Sequence, residues 1–216
     1  MTGEAVTGEA GTRCGFAAII GAPNSGKSTL LNRLVGSKVA IVTQKVQTTR
    51  SRIRGIAIEG ASQIIFVDTP GIFLPRRSLE VAMVQAAWAG AAEADCVILL
   101  TDSRFGLDDQ AELVIGGLDK AKVKPLLALN KIDLIRREAL LEMVRAFNER
   151  WPFTATFLIS ALNGDGVADL KSHVAALMPP GPWLYPEDQI ADVPLRLLAA
   201  EITREKIFLR RHEELP

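Results

Sequence analysis

Residues 21–28 read Gly-Ala-Pro-Asn-Ser-Gly-Lys-Ser and satisfy the pattern G-x-x-x-x-G-K-[ST]. The chemistry such a stretch supports is capture of a polyphosphate. Gly21 and Gly26 let the backbone curl until successive N–H groups point inward, and a helix starting beside Lys27 adds its positive end. Ala22, Pro23, Asn24 and Ser25 make the wall between the glycines, and Thr29 follows in the first helical turn. Lys27 brings a point charge to the terminal phosphates, while the Ser28 hydroxyl can take one position on a magnesium ion.

Three further segments, Asp68-Thr69-Pro70-Gly71, Asn130-Lys131-Ile132-Asp133 and Ser160-Ala161-Leu162, each follow a short apolar run. Open α/β sheets place their ligands at such strand ends. Asp68 can hold a magnesium-bound water, and Gly71 lets a backbone N–H approach the last phosphate. The Asp133 carboxylate can accept two hydrogen bonds from a base edge carrying a ring N–H and an exocyclic amine, which guanine offers and adenine does not. This points to GTP rather than ATP. Lys131 would lay its stem along the base, and the Ser-Ala-Leu loop would offer a backbone N–H to the guanine oxygen. Alone, the Asp-Thr-Pro-Gly stretch is an ordinary turn and Ser-Ala-Leu a helix-capping loop. Their order behind the phosphate loop and Thr48-Thr49 is what joins them into one site.

Such a site needs strands to carry the loops. Apolar runs at 16–20, 64–67, 96–100, 126–129 and 157–159 suit parallel strands buried on both faces. The more polar run 52–59, joined to the next by a short connection, suits an antiparallel edge strand. Helical periodicity covers 27–35, 79–94, 108–120, 136–150 and 167–177. The expected fold is α/β: a six-stranded, mainly parallel sheet with helices on both faces, spanning 16–178. Residues 1–15, rich in Gly, Thr, Glu and Ala, read as a disordered tail, and the proline-rich stretch 179–193 as a linker. Beyond it Leu195, Leu198, Ile202 and Leu209 form one stripe of a helix in 194–216 that belongs to a further domain.

Composition excludes several classes. Lys and Arg number 25 against 25 Asp and Glu, so no global field draws the chain to nucleic acid or anionic lipid. Cys14, in the tail, and Cys96, in a strand, make neither a disulfide framework nor a metal site, and His173 and His212 lack partners at ligand spacing. Arg50, Arg52 and Arg54 share one strand face and read as a solvated edge. With no apolar run of membrane-span length, a soluble cytoplasmic protein is expected.

The ordered motifs resemble those of GTPases of the TrmE-Era class, and the fold expected is then that of P-loop NTPases. Gln47-Thr48-Thr49-Arg50, the linker, and Ala199 to Lys206 (AAEITREK) are similar to its Era branch. The resemblance covers nearly everything after the tail. It implies hydrolysis of GTP to GDP and phosphate, with magnesium held by Ser28, by Asp68 through water and, in the GTP state, by Thr49. The catalytic set becomes Lys27, Thr49, Gly71 and Asn24, the asparagine helping to hold a potassium ion; a residue merely stabilising the loop turn is the alternative. Ile72 stands where Ras-type enzymes carry a water-orienting glutamine, so intrinsic turnover should be slow. Segments 36–49 and 72–78 would be ordered by GTP. The resemblance further implies a monomer acting in small-subunit assembly and 16S rRNA maturation, with peripheral association at the inner membrane face. RNA would be bound through a KH domain of which 194–216 resembles only the opening helix; its GXXG turn is not found after the linker, and Gly8-Glu9-Ala10-Gly11 matches by spelling alone. A GTP-binding module without turnover, and a class member acting in tRNA modification or large-subunit assembly, are the competing readings.

Overall fold

Among the described residues six strands pair into one sheet: β1 Arg13–Ile20, β2 Ile53–Glu59, β3 Ser62–Asp68, β4 Cys96–Asp102, β5 Leu126–Asn130 and β6 Thr156–Ile159. Their order is β2-β3-β1-β4-β5-β6, and every neighbouring pair is parallel except β2 and β3. The computed structural model describes residues 11–40, 53–75, 77–192 and 203. Thr48 and Thr49, most of the N-terminal tail, and the candidate helix stripe from Leu195 to Leu209 lie outside the described residues, as do Arg50, Arg52 and His212.

Successive residues of a strand face opposite sides, so the central strands build two cores at once. On one side Ala17, Ile19, Phe66 and Ile98 pack with α1 (Lys27–Val35) and α5 (Val167–Leu177). On the other, Ala18, Ile20, Leu99 and Leu127 pack with α2 (Ser78–Ala92), α3 (Asp109–Ala121) and α4 (Arg137–Arg150). The doubly wound architecture is the expected one, and the hairpin strand β2 lies at its edge.

Two expected boundaries move. Arg13, Cys14 and Gly15, read as tail, belong to β1, where Arg13 pairs with Ser62 and Cys14 with Gln63 of β3. Cys14 is therefore buried. Three polar or small residues ahead of an apolar run carry no strand signal of their own; they extend because a pairing partner stands beside them. The proline-rich stretch after α5 is likewise no free linker over its described part. Pro180 bridges to Arg13, and the Ile56 amide donates to the Ile190 carbonyl at 2.9 Å, which seals the outer edge of β2. That satisfies edge groups that would otherwise invite another chain.

Gln63 holds the middle of this strap. Fully buried, it accepts from the amides of Leu184 and Tyr185 at 2.8 and 3.0 Å and donates to the Tyr185 carbonyl at 2.7 Å. Arg54, expected on a solvated edge, pairs with Asp192 at 3.0 Å and lies 5.8 Å from the centre of the Phe16 ring. Proline in the strap removes donors, which is why its few backbone bonds concentrate at such side chains. Replacing Gln63 by leucine strands two amides and a carbonyl, and the cost of leaving such groups unpaired is about 1–3 kcal/mol. Gln63→Leu should lower urea stability by that order and speed amide exchange at Leu184 and Tyr185; unchanged protection there would show that the strap is held by other contacts.

Candidate nucleotide site

The loop between β1 and α1 turns a row of backbone donors toward its centre. Gly26 precedes α1 in the left-handed region at φ 102°, and no side chain caps the helix. The first-turn amides of an uncapped helix have no intrahelical partner, and together with the dipole they favour an anion. By contrast, Asp108 caps α3 by accepting from the Ala111 amide at 2.8 Å. Thr29 sits half-buried in the first turn of α1. A Cβ on Gly26 would stand 2.4 Å from Asn130 Nδ2, so glycine is needed there for space as well as for φ.

Lys27 folds back over this loop. Its ammonium donates to the carbonyls of Gly21 at 3.2 Å and Ala22 at 2.8 Å and is buried. Burial pushes it from the ordinary 10.5 down to about 8, with Asp68 pulling the other way. Beside it the Ser28 hydroxyl donates to Asp68 Oδ2 at 2.9 Å. A hydroxyl and a carboxylate converging at the mouth of a phosphate cradle are the oxygen donors a hard cation such as magnesium takes.

The segment after β3 is tied to the loop by its backbone. The Ile72 amide donates to the Gly21 carbonyl at 3.0 Å, and Thr69 Oγ1 donates to the Ile19 carbonyl at 2.8 Å. A Cβ on Gly71 would lie 2.9 Å from the nitrogen of Pro23, so this glycine permits the close approach. Pro70 lies between them, buried, and the Ile72 side chain points into the core under α2 and α3.

Asn130 joins the far side. Its Nδ2 donates to the Ser25 carbonyl at 2.8 Å and its Oδ1 accepts from the Ala161 amide at 2.9 Å. Lys131, left-handed at φ 66°, donates to the Asn24 carbonyl at 2.8 Å and to Asp102 Oδ2 at 2.7 Å. Asp133 stands exposed in a short 3₁₀ turn, Ile132–Leu134. In the Ser160-Ala161-Leu162 loop the first two residues are buried and Leu162 is exposed. Asn24 is exposed and left-handed at φ 61°. All four expected segments thus meet at the C-terminal ends of β1, β3, β5 and β6. A cleft of about 310 Å³ also opens on the α3 side of the loop, between Pro23, Thr101 and Val114, but Lys27, Ser28 and Asp68 do not line it.

Sequence comparison agrees with this arrangement. Residues 16–131 match the family of 50S ribosome-binding GTPases. A GTPase Era from Bradyrhizobium sp. strain BTAi1 is 60% identical over 217 residues, covering all of this chain and 70% of that protein. The GTPase Era of Rhizobium meliloti strain 1021 is 56% identical over 99% of this chain and 68% of its own length. The chain belongs to the Era family of GTPases. Two solved Era structures share its fold: one in complex with MgGDPNP and nucleotides 1506–1542 of 16S ribosomal RNA, at 41% identity and TM-score 0.84 over 90% of this chain and 67% of that one. The other, a variant Era of Aquifex aeolicus bound to GDP and aluminium fluoride, is 40% identical with TM-score 0.86 over 95% of this chain and 70% of that one.

Two contacts around this Era-type site escape sequence reading. Asp102, at the end of β4, holds Lys131; its place at a strand end was the signal available. Arg33, in the last turn of α1, donates from Nε to the Ala161 carbonyl at 3.2 Å and also bonds the Leu162 carbonyl. No local pattern announces a bond between residues 128 positions apart.

The buried lysine gives a pH signature. Its folded pKa lies below the unfolded one, so the charged form costs nucleotide-free stability below about pH 8, and the cost fades as pH rises toward 10.5. Lys27→Met should therefore stabilise the nucleotide-free protein at pH 7, by less than the full burial cost because the Gly21 and Ala22 carbonyls lose their donor. The difference from the parent in urea unfolding should shrink between pH 8 and 10.5; a pH-independent difference would mean that Lys27 carries no buried charge.

Proposed function

We propose that this GTPase is an Era-type switch that binds GTP across the loops described above and hydrolyses it slowly. The observation carrying this reading is the pair of bonds from Asn130, which brings the phosphate loop and the Ser160-Ala161-Leu162 loop within one side chain of each other. The guanine edge lies against Asp133 and the backbone of residues 160–162, with the Lys131 stem along the base. The β- and γ-phosphates occupy the cradle of Gly21, Ala22, Pro23, Asn24, Ser25, Gly26 and Lys27, and Thr29 closes it.

Lys27 leaves the Gly21 and Ala22 carbonyls for the phosphate oxygens, regaining in the anion what burial takes from its charge. Ser28, Asp68 and, in the GTP state, Thr49 would hold magnesium, which would supply charge compensation to the phosphates. The Gly71 amide, held against Pro23, faces the γ-phosphate, and water attacks in line. Ile72 is locked in the core and offers no side-chain hydrogen bond, so the water is oriented without a glutamine. Asn24 would help to hold a potassium ion, which would supply further positive charge there.

The same reading extends to the cellular task. The Era relative whose complex includes 16S ribosomal RNA carries additional chain beyond the part matched here. We assign this protein, as a cytoplasmic monomer, to small-subunit assembly, with RNA held by a KH-type domain that residues 194–216 begin.

Asp133→Asn should weaken GTP and favour xanthosine triphosphate, whose ring presents a carbonyl where guanine has its amine. Unchanged guanine affinity in titrations of a fluorescent nucleotide would remove Asp133 from the base site. Potassium, but not sodium, should accelerate phosphate release, and Asn24→Ala should abolish that difference while leaving affinity nearly intact. Equal rates in both salts would leave Asn24 a loop residue only.

A further inference from the structure

We propose that Asp102 is a positioning residue for the guanine nucleotide: by fixing the Lys131 ammonium over the Asn24 carbonyl, it sets how long the base is retained. This rests on the reading of residues 130–133 as the base site. Asp102 closes β4, next to Asn130 of β5 in the sheet register, and its side chain is only 9% exposed. Oδ2 accepts from Lys131 Nζ at 2.7 Å, and the same ammonium donates to the Asn24 carbonyl at 2.8 Å. Lysine brings a compact charge on a flexible stem, so its direction is set by its acceptors. Of these two acceptors the carboxylate carries the full charge and forms the stronger, charge-assisted bond.

Arg104 holds the same carboxylate from the other side and shares Oδ2 with Lys131. Arg104 donates to Oδ1 through its amide at 3.1 Å and through Nε at 3.0 Å, and to Oδ2 through Nη2 at 2.7 Å. Its guanidinium lies 5.1 Å from the centre of the Phe105 ring, at the surface. Arg104 thus keeps the turn after β4 in place, and Oδ2 is presented to Lys131 from a fixed frame. Lys131 itself takes a backbone conformation that non-glycine residues seldom adopt, which aims its side chain back across the phosphate loop rather than into solvent. A carboxylate on β4 therefore fixes the direction of a lysine after β5, whose ammonium reaches from Asp102 to the Asn24 carbonyl.

Asp102→Asn retains an oxygen for the Arg104 amide and Nε and replaces Oδ2, which Lys131 and Arg104 Nη2 share, so the backbone tie of the turn is kept while the charged anchor of Lys131 is lost. The test measures release of a fluorescent GDP from the parent, Asp102→Asn, Lys131→Ala and the double variant, alongside the affinity of Asp102→Asn for inorganic triphosphate. Release should be roughly tenfold faster in Asp102→Asn, and the double variant no faster than Lys131→Ala. Triphosphate, which has no base, should bind Asp102→Asn as it binds the parent. Unchanged release, multiplying effects in the double variant, or a matching loss of triphosphate affinity would each overturn the role. Unchanged release in Lys131→Ala would instead bring down the base-site reading itself.

Discussion

A single buried carboxamide makes one site out of two loops. Asn130 has both faces engaged, donating to the Ser25 carbonyl and accepting from the Ala161 amide, and it is shielded from water. In that environment each bond is stronger than at the surface and each lost partner more costly. Its position also explains what surrounds it: Gly26 has no Cβ because the carboxamide occupies that volume, and the helix behind Gly26 begins without a side-chain cap. The glycine that opens the helix to an anion is thus the same glycine that admits the tie to the opposite loop.

The sheet holds that tie in place. Five strands deliver their C-terminal ends to one edge through parallel pairing, and the hairpin β2 and the strap after α5 are the departures from this pattern. The strap covers β2, whose outer edge would otherwise show unpaired backbone groups. It is anchored by polar atoms, Gln63, Arg54 and Asp192, because a proline-rich segment has few amides to donate. A short antiparallel bridge at Gly55 and Ala191 covers that edge, and the side chains anchor the strap on either side of it.

The motif residues were legible because each sits in a short pattern whose chemistry is local: a glycine curl, a carboxylate, a charged lysine. The sheet order followed from continuous apolar runs and from the polar hairpin strand. What escaped was non-local. Arg13 to Gly15 look like tail because nothing in their own composition favours extension, and only the register with Ser62 and Gln63 makes them strand. Arg54 reads as a solvated edge because Asp192 lies 138 positions away. Asp102 and Arg33 were silent for the same reason: one acts on a lysine in another motif, the other on two carbonyls at the far side of the domain.

Arg33 shows how the fold couples the two ends of a ligand. Helix α1 has nine residues, which at 1.5 Å per residue makes a rod of roughly 13 Å. Its N-terminus carries the open amides and Lys27, and its last turn carries Arg33, bonded to the carbonyls of Ala161 and Leu162. Guanidinium donors near a helix C-terminus are favoured by the dipole that favours an anion at the other end. The rod is buried along Leu30, Leu31 and Leu34, so it cannot tilt without disturbing the core beneath the sheet. Distance between the phosphate cradle and the Ser160-Ala161-Leu162 loop is therefore fixed twice, by Asn130 through the loops and by α1 through a packed helix. A displacement of either loop must then strain a buried amide or an apolar interface, which fixes the span between the two loops.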